Sequence, residues 1–434
     1  MKALNPVPSE KNQAKVQPFP SESCEDKEQG LSRQEHAGDH SARIRVGFLY
    51  NHDAPHQVAH SAPIAAELAS AQDIDVHVIA SSEALLNRAK TVIASTGAPD
   101  PGYHLLTGSI FQRALSPVLD QLGPFSRLMN LHRHKAFLAE FDALVVPERT
   151  TLFLKKLLGT ATPRLICTRH GSGDRSVGFQ KSVSGFDLVM FSGSKTRDRF
   201  VKTGYLQPEQ TAIVGYPKFD AIPVEAGPPL FDNGRPTVIY SPNPDPLLSS
   251  FYGLGLDVLD YFYNSADYNL VFAPHMMLFR RKIHVSLEKL KVRIRPNIPE
   301  KYFNCPHIRI DTDSPALMDM TYVRAADIYL GDVSSQVYEF IRRPRPCVFL
   351  NASGVKWEGD QNFLFWTMGP VIEKTDNLGQ ALRQASKPRY IERQKELFDW
   401  TFQMTEERSS ARAARAIQDF LRARVLEKDQ AAVT

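Results

Sequence analysis

Short apolar runs and segments of helical period take turns along most of this chain. Apolar residues crowd 44–50 (IRVGFLY), 76–80, 143–146, 164–168, 187–191 and 211–214, each of a length that suits a buried strand. Between them, 63–71, 82–95, 109–141, 150–158 and 194–203 read as helices. The alternation pauses at 222–235, IPVEAGPPLFDNGR, where three prolines and two glycines mark a linker. It then restarts, with strands predicted at 237–241, 269–273, 307–310, 328–330 and 346–350 and helices at 254–264, 280–290, 314–325 and 336–341. Strands alternating with helices predict parallel sheets covered on both faces, with ligands at the carboxyl ends of the strands. The expected architecture is α/β: a doubly wound lobe over 43–221, the linker, a second doubly wound lobe over 236–390 facing the first across a cleft, and a helical tail over 391–434. Within the tail, 408–427 is rich in Ala, Arg and Leu at helical spacing and should pack across a domain. Residues 1–42 are rich in Ser, Glu, Lys, Gln and Pro, bury too little to fold, and are expected to form a disordered leader.

Composition narrows the class. Hydrophobic residues at 42% and charged residues at 23% are those of a soluble globular protein. A net charge of +4 and a pI near 8.7 are too mild to call for nucleic acid. The four cysteines have no CxxC spacing, which fits a reducing compartment and argues against a zinc knuckle or a disulfide framework. No run approaches the roughly 18–20 apolar residues of a membrane span, so a cytoplasmic protein is expected, with any membrane contact peripheral on the inner face.

Five stretches could carry chemistry. In 327–351, DIYLGDVSSQVYEFIRRPRPCVFLN, Asp332, Ser334 and Ser335 occupy a turn between a strand and a helix. There, hydroxyls and free backbone N–H groups could hold an anion, while Glu339, one helical turn on, could accept from ribose hydroxyls. Two capping serines and a solvated glutamate would give the same pattern. At 168–174, TRHGSGD, His170 follows a strand, where an imidazole could act as a general base, and the glycines beside it, Gly171 first, let a substrate approach the backbone. A loop histidine with only local hydrogen bonds is the alternative. At Ala273-Pro274-His275 the imidazole and the nearby Arg280, Arg281 and Lys282 could meet a diphosphate, or the three cations could be a solvated helix start. The turn Gly215-Tyr216-Pro217-Lys218-Phe219-Asp220 would line the cleft from the first lobe. His56 and His60 share an HxxxH spacing with His52 upstream, but with so few acids nearby helix-entry polarity or acceptor binding suits them better than a metal, and no metal is expected. Finally, Arg280, Arg281, Lys282, Lys289, Lys291, Arg293 and Arg295 concentrate charge that could meet an anionic membrane or merely form a solvated helix face.

The order of these blocks, His170-Gly171, then GYPKFD at 215–220, YSPN at 240–243, APH at 273–275, and DxSS at 332–335 ahead of a helix and the strand RPCVFL, resembles the CDP-glycerol glycerophosphotransferase family. The resemblance covers roughly residues 43–400 and implies the GT-B architecture of the teichoic-acid type primases and polymerases. It makes His170 the base on an acceptor hydroxyl and His275 a donor to the diphosphate. Ser334 and Ser335 become phosphate ligands, and Glu339 matches an acidic residue on the same helix. The implied reaction is attack of a glycan or lipid-linked hydroxyl on the β-phosphate of CDP-glycerol, releasing CMP, with no cofactor. The chain departs from the family's HGTPxK form, since Gly171 is followed by Ser172-Gly173-Asp174-Arg175, which places Arg175 near the lysine position. The second-lobe histidine sits in Ala273-Pro274-His275-Met276 where the family has an RxHP-like context. Another nucleotide-activated donor, a GT-B glycosyltransferase or UDP-sugar 2-epimerase activity, and a non-catalytic nucleotide-binding role stay open on these residues.

Overall fold

Seven buried or half-buried strands form the first sheet: β1 (Ile44–Tyr50), β2 (Ile74–Ala80), β3 (Gly102–Leu105), β4 (Ala143–Val146), β5 (Arg164–Cys167), β6 (Leu188–Phe191) and β7 (Thr211–Ile213). They lie in the order β3-β2-β1-β4-β5-β6-β7, every pair parallel. Six more strands, β8 (Thr237–Ser241), β9 (Asn269–Phe272), β12 (Ile308–Ile310), β13 (Ile328–Gly331), β14 (Cys347–Leu350) and β15 (Val371–Ile372), form a second all-parallel sheet in the order β12-β9-β8-β13-β14-β15. A separate antiparallel ribbon pairs β10 (Ile283–Ser286) with β11 (Lys291–Ile294). This computed structural model describes residues 43–433 except 53–54, 109–115, 117–118, 121–122, 170, 172, 176–177 and 287–290, and describes only the backbone of 56, 285, 286, 291 and 424–433. The leader expected over 1–42 lies outside the described residues.

Helices cover both faces of each sheet. Those of the first half are α1 (Ala62–Ala69), α2 (Glu83–Ala94), α3 (Phe125–Arg133), α4 (Lys135–Leu138), α5 (Phe153–Leu158) and α6 (Ser194–Lys202). The second half contributes α7 (Gly255–Tyr263), α8 (Met277–Arg280), α9 (Thr321–Ala325), α10 (Gln336–Phe340), α11 (Leu378–Gln384), α12 (Pro388–Phe402) and α13 (Ser409–Val433). Ser82 caps α2 by accepting the Leu85 N–H, the expected start of a helix in 82–95.

Three expectations need correction. The helix predicted over 280–290 is the end of α8 followed by the β10–β11 ribbon: Ile283, Val285, Val292 and Ile294 alternate with polar residues at period two, and β-branched side chains favour strand. The helix predicted over 314–325 is broken, because Met320 adopts a left-handed φ of +66° between a 3-10 turn at Pro315–Leu317 and α9. Strands β3 and β15 escaped the pattern, the first being a half-exposed edge and the second only two residues long.

The last two helices do not stay together. Leu397 and Phe402 of α12 are buried in the second lobe's core, whereas Ala413, Ile417 and Leu421 of α13 are buried in the first lobe's core. The crossing is fastened at the turn 215–220. Ser409 Oγ accepts the Tyr216 N–H at 2.9 Å, and the Ser410 N–H donates to Asp220 Oδ2 at 2.6 Å. Gly215 is required there, with φ +80° and a Cβ position only 2.4 Å from Ser409 Oγ. Among the described residues no helix is long and apolar enough to cross a membrane. Because Ile417 is fully buried, Ile417→Ala should lower the unfolding free energy of the folded chain by about 2–5 kcal/mol in urea titration, although the residue lies close to the chain's end.

Candidate functional site

In a parallel sheet, the loops leaving two neighbouring strands diverge where the strand order reverses, and a crevice opens there. In the second sheet that point lies between β8 and β13. The loop after β8 carries Asn243, and the loop after β13 carries Asp332 to Ser335. Asn243 donates from Nδ2 to Val333 O at 2.7 Å and from its backbone N–H to Asp332 Oδ1 at 2.9 Å, so the two loops are held against one another. Asp332 is fully buried, and its carboxylate also accepts from the Ser250 N–H, the Ser250 hydroxyl and the Val333 N–H. Burial raises its pKa while these donors pull it down. The expectation that Asp332 touches the donor is therefore corrected: it sits behind the turn and holds the crevice in shape. Ser335, by contrast, is exposed, and Ser334 is half-exposed and accepts the Gln336 N–H at 3.2 Å. The helix behind them, α10, has only five residues, so hydroxyls and turn N–H groups, rather than a long helix dipole, are what the crevice offers an anion.

The first lobe meets this turn directly. A Cβ placed on Gly171, whose φ is +71°, would lie 3.5 Å from Ser335 Oγ, and one on Gly173 would lie 3.3 Å from Ser335 Cβ. His170 itself lies outside the described residues. Next along the loop, Asp174 is buried and binds both lobes. Its Oδ1 accepts from Lys195 Nζ at 2.6 Å, and its Oδ2 accepts from the Tyr338 hydroxyl at 2.6 Å and the Phe365 N–H at 3.1 Å. Lys195 Nζ also stands 3.7 Å from the centre of the Tyr338 ring. Burial lowers the Lys195 pKa, and the Asp174 charge opposes that shift.

Several other expected residues bridge the lobes. Arg175 pairs with Asp245 of the second lobe at 2.9 Å. Glu339 accepts from Lys218 Nζ at 2.7 and 2.9 Å and from the Tyr216 hydroxyl at 2.8 Å. Thus Glu339 and Lys218, expected as separate ligand contacts, are partners in one buried ion pair. His60 is buried against the Tyr216 ring at 5.0 Å and lines a narrow cavity with Thr168, Gly171, Ser192 and Thr196. The side chain of His56 lies outside the described residues. No group of three or more His, Cys, Asp or Glu among the described residues could hold a metal ion.

His275 follows β9 at the same carboxyl edge as the serine turn. Its Nδ1 accepts the Met277 N–H at 3.3 Å, which places the ring proton on Nε2. Burial, and then the charge of Arg280, push its pKa down to about 4, so the ring is neutral near pH 7 and acts as a hydrogen-bond donor, not as a cation. Arg280 is exposed beside it.

Two features went unpredicted. A cavity of about 460 Å³ opens at the carboxyl ends of β1, β2 and β3, lined by Asn51, His52, Ser81, Glu83, Thr107, Ser126, Arg127 and Asn130 among others. Glu148, just after β4, is buried, accepts from Thr150 and Thr151, and has its pKa raised by burial. The signal was present as an acid two residues beyond a predicted buried strand, in Val146-Pro147-Glu148.

No family model and no curated protein matches this chain. Solved structures do. The S. aureus MnaA–UDP complex superposes with a TM-score of 0.55 at 12% identity, covering 88% of this chain and 97% of that one. The fold is GT-B. A variant of the wall teichoic acid polymerase TagF soaked with CDPG gives 0.54 at 14% identity, covering 88% and 89%. The UDP-GlcNAc 2-epimerase from Methanocaldococcus jannaschii gives 0.52 at 13% identity, covering 86% and 99%. At such identities the GT-B likeness establishes two Rossmann-like lobes across a cleft and nothing finer.

Two measurements probe this site. Asp174→Ala removes the buried carboxylate that pairs with Lys195 and accepts from Tyr338 and Phe365, and should cost about 3–5 kcal/mol of unfolding free energy. For His275, the unfolded chain takes up its proton near 6.5 and the folded chain near 4, so between those values the unfolded state binds more protons. Stability should fall as pH drops through that window, and His275→Gln should flatten the slope of a pH series of urea titrations.

Proposed function

We propose that this chain transfers glycerol phosphate, or a related alditol phosphate, from a CDP-activated donor to a hydroxyl of a glycan or lipid-linked acceptor, releasing CMP. The observation that supports this reading is the closeness of Gly171 and Gly173 to Ser335, near enough that a Cβ on either would lie within 3.5 Å of the serine side chain. In this reading the diphosphate lies on Ser334 and Ser335, with the Nε2–H of His275 and the guanidinium of Arg280 as further donors. His170 takes the proton of the acceptor hydroxyl, the resulting oxygen bonds to the β-phosphorus, and the bond from that phosphorus to the bridging oxygen breaks to release CMP. A neutral His275 suits a site that is empty between turnovers, and an arriving diphosphate would raise its proton affinity. Glu339 accepts from ribose hydroxyls while Lys218 and Tyr216 hold it in place. Gly171, His56 and His60 border the acceptor's path, Arg175 braces it through Asp245, and the 460 Å³ cavity, rich in hydroxyl and amide groups, suits a polyol. The acceptor would be met at the inner face of the cell membrane.

A UDP-sugar 2-epimerase activity is the second reading, favoured by Glu148. A buried carboxyl with a raised pKa at the carboxyl edge of the first sheet is placed to move a proton on a sugar. Incubation with CDP-glycerol and a panel of nucleotide sugars, with CMP, UMP and UDP assayed, separates the two. CMP release from CDP-glycerol supports the transferase, and epimerised UDP-sugar with no CMP supports the second reading. His170→Ala should lose roughly 10² or more in turnover while keeping donor affinity. A variant with unchanged biological effect and unchanged nucleotide affinity would instead identify a non-catalytic binding protein.

A further inference from the structure

The ribbon β10–β11 stands outside both sheets, and its amphipathicity is inverted. Its register sets Ile283 opposite Ile294, His284 opposite Arg293 and Val285 opposite Val292. Residues directly opposite share a face, and successive residues switch face. The polar pair points toward the lobe: His284 Nε2 lies 3.1 Å from Leu278 O and 3.0 Å from Arg281 O, and the Arg293 guanidinium lies 5.9 Å from the centre of the Tyr252 ring. The opposite face therefore turns outward, leaving Ile283, Val292 and Ile294 55%, 62% and 66% exposed. Met277, at the start of α8, adds another exposed apolar side chain at 54%. An apolar face of this kind marks an interaction surface.

Charge selects the partner. Over 277–299 the sequence has seven Lys and Arg against one acid, and Arg280, Arg281 and Lys282 are exposed next to the aliphatic face. A second copy would bring the same positive stretch against itself, and like charges across an interface repel. An anionic bilayer complements both features at once, taking aliphatic side chains into its headgroup boundary and cations onto its phosphates. We propose that the β10–β11 ribbon docks the protein on an anionic lipid surface. The ribbon leaves the second sheet at the carboxyl end of β9, the edge that carries His275, so docking holds the mouth of the cleft near the lipid. This inference stands apart from the donor chemistry.

The test is co-sedimentation of the full chain with phosphatidylcholine vesicles with and without phosphatidylglycerol, at low and high salt. Binding should require the anionic lipid and weaken with salt. Arg281→Glu/Lys282→Glu should lower vesicle affinity by about fivefold or more per charge. Ile283→Ser/Ile294→Ser should lower it by about tenfold or more while leaving thermal unfolding and nucleotide affinity as in the parent. Either variant suffices if the other fails to fold. Vesicle binding that ignores lipid charge and salt, or that survives in the folded variants, overturns the proposal. So does a dimer that Ile283→Ser/Ile294→Ser converts to monomer without any lipid binding. Donor turnover on a water-soluble acceptor, measured in parallel, reports on the proposed reaction alone.

Discussion

One carboxylate holds this molecule's two halves in working relation. Asp174 comes from the first lobe's motif loop, yet among the described residues its side chain accepts from Tyr338 and Phe365 of the second lobe as well as from Lys195 of the first. A buried ion pair contributes little net stability, because desolvation offsets most of the Coulomb attraction, but a buried charge without its partner is costly. That asymmetry makes Asp174 a device for specificity: arrangements of the lobes that separate it from Tyr338 and Phe365 leave polar groups unsatisfied. Asp174 also anchors, three residues on, the loop that brings Gly171 close to Ser335.

The other ties between the lobes act alike. Lys218 with Glu339 and Arg175 with Asp245 each join a residue near the cleft of one lobe to its counterpart in the other. These two pairs compensate their own charges, so the groups that the proposed reading assigns to the ligand are the serine hydroxyls, turn N–H groups, the His275 imidazole and the exposed Arg280 guanidinium. Such a surface suits a phosphorylated substrate that supplies its own negative charge. Fixed donors that need not reorganise stabilise developing charge more effectively than mobile water does.

Most of the fold was legible in the sequence because the strands of a parallel sheet are buried on both faces and read as unbroken apolar runs. The elements that escaped were those where that logic lapses. Strand β3 is a half-exposed edge, β15 is two residues long, and the β10–β11 ribbon belongs to neither buried sheet. The ribbon's period-two alternation was available in KIHVS and KVRI, but a dense run of cations over the same residues imitates a solvated helix face.

For the site, the sequence by itself determined which residues stand at the carboxyl ends of strands, because local pattern places a turn after each apolar run. Ser334, Ser335, Gly171 and His275 were located just beyond strands in that way. Only the tertiary structure decided their partners. Nothing local separates Asp332, enclosed by Ser250 and Asn243 some eighty residues away, from Ser335, which is open to the cleft three positions later. Nor does any pattern within one lobe announce that Glu339 will meet Lys218, or Asp174 meet Tyr338. Period and propensity act over a few residues, whereas burial and charge compensation depend on which segments the folded chain brings together.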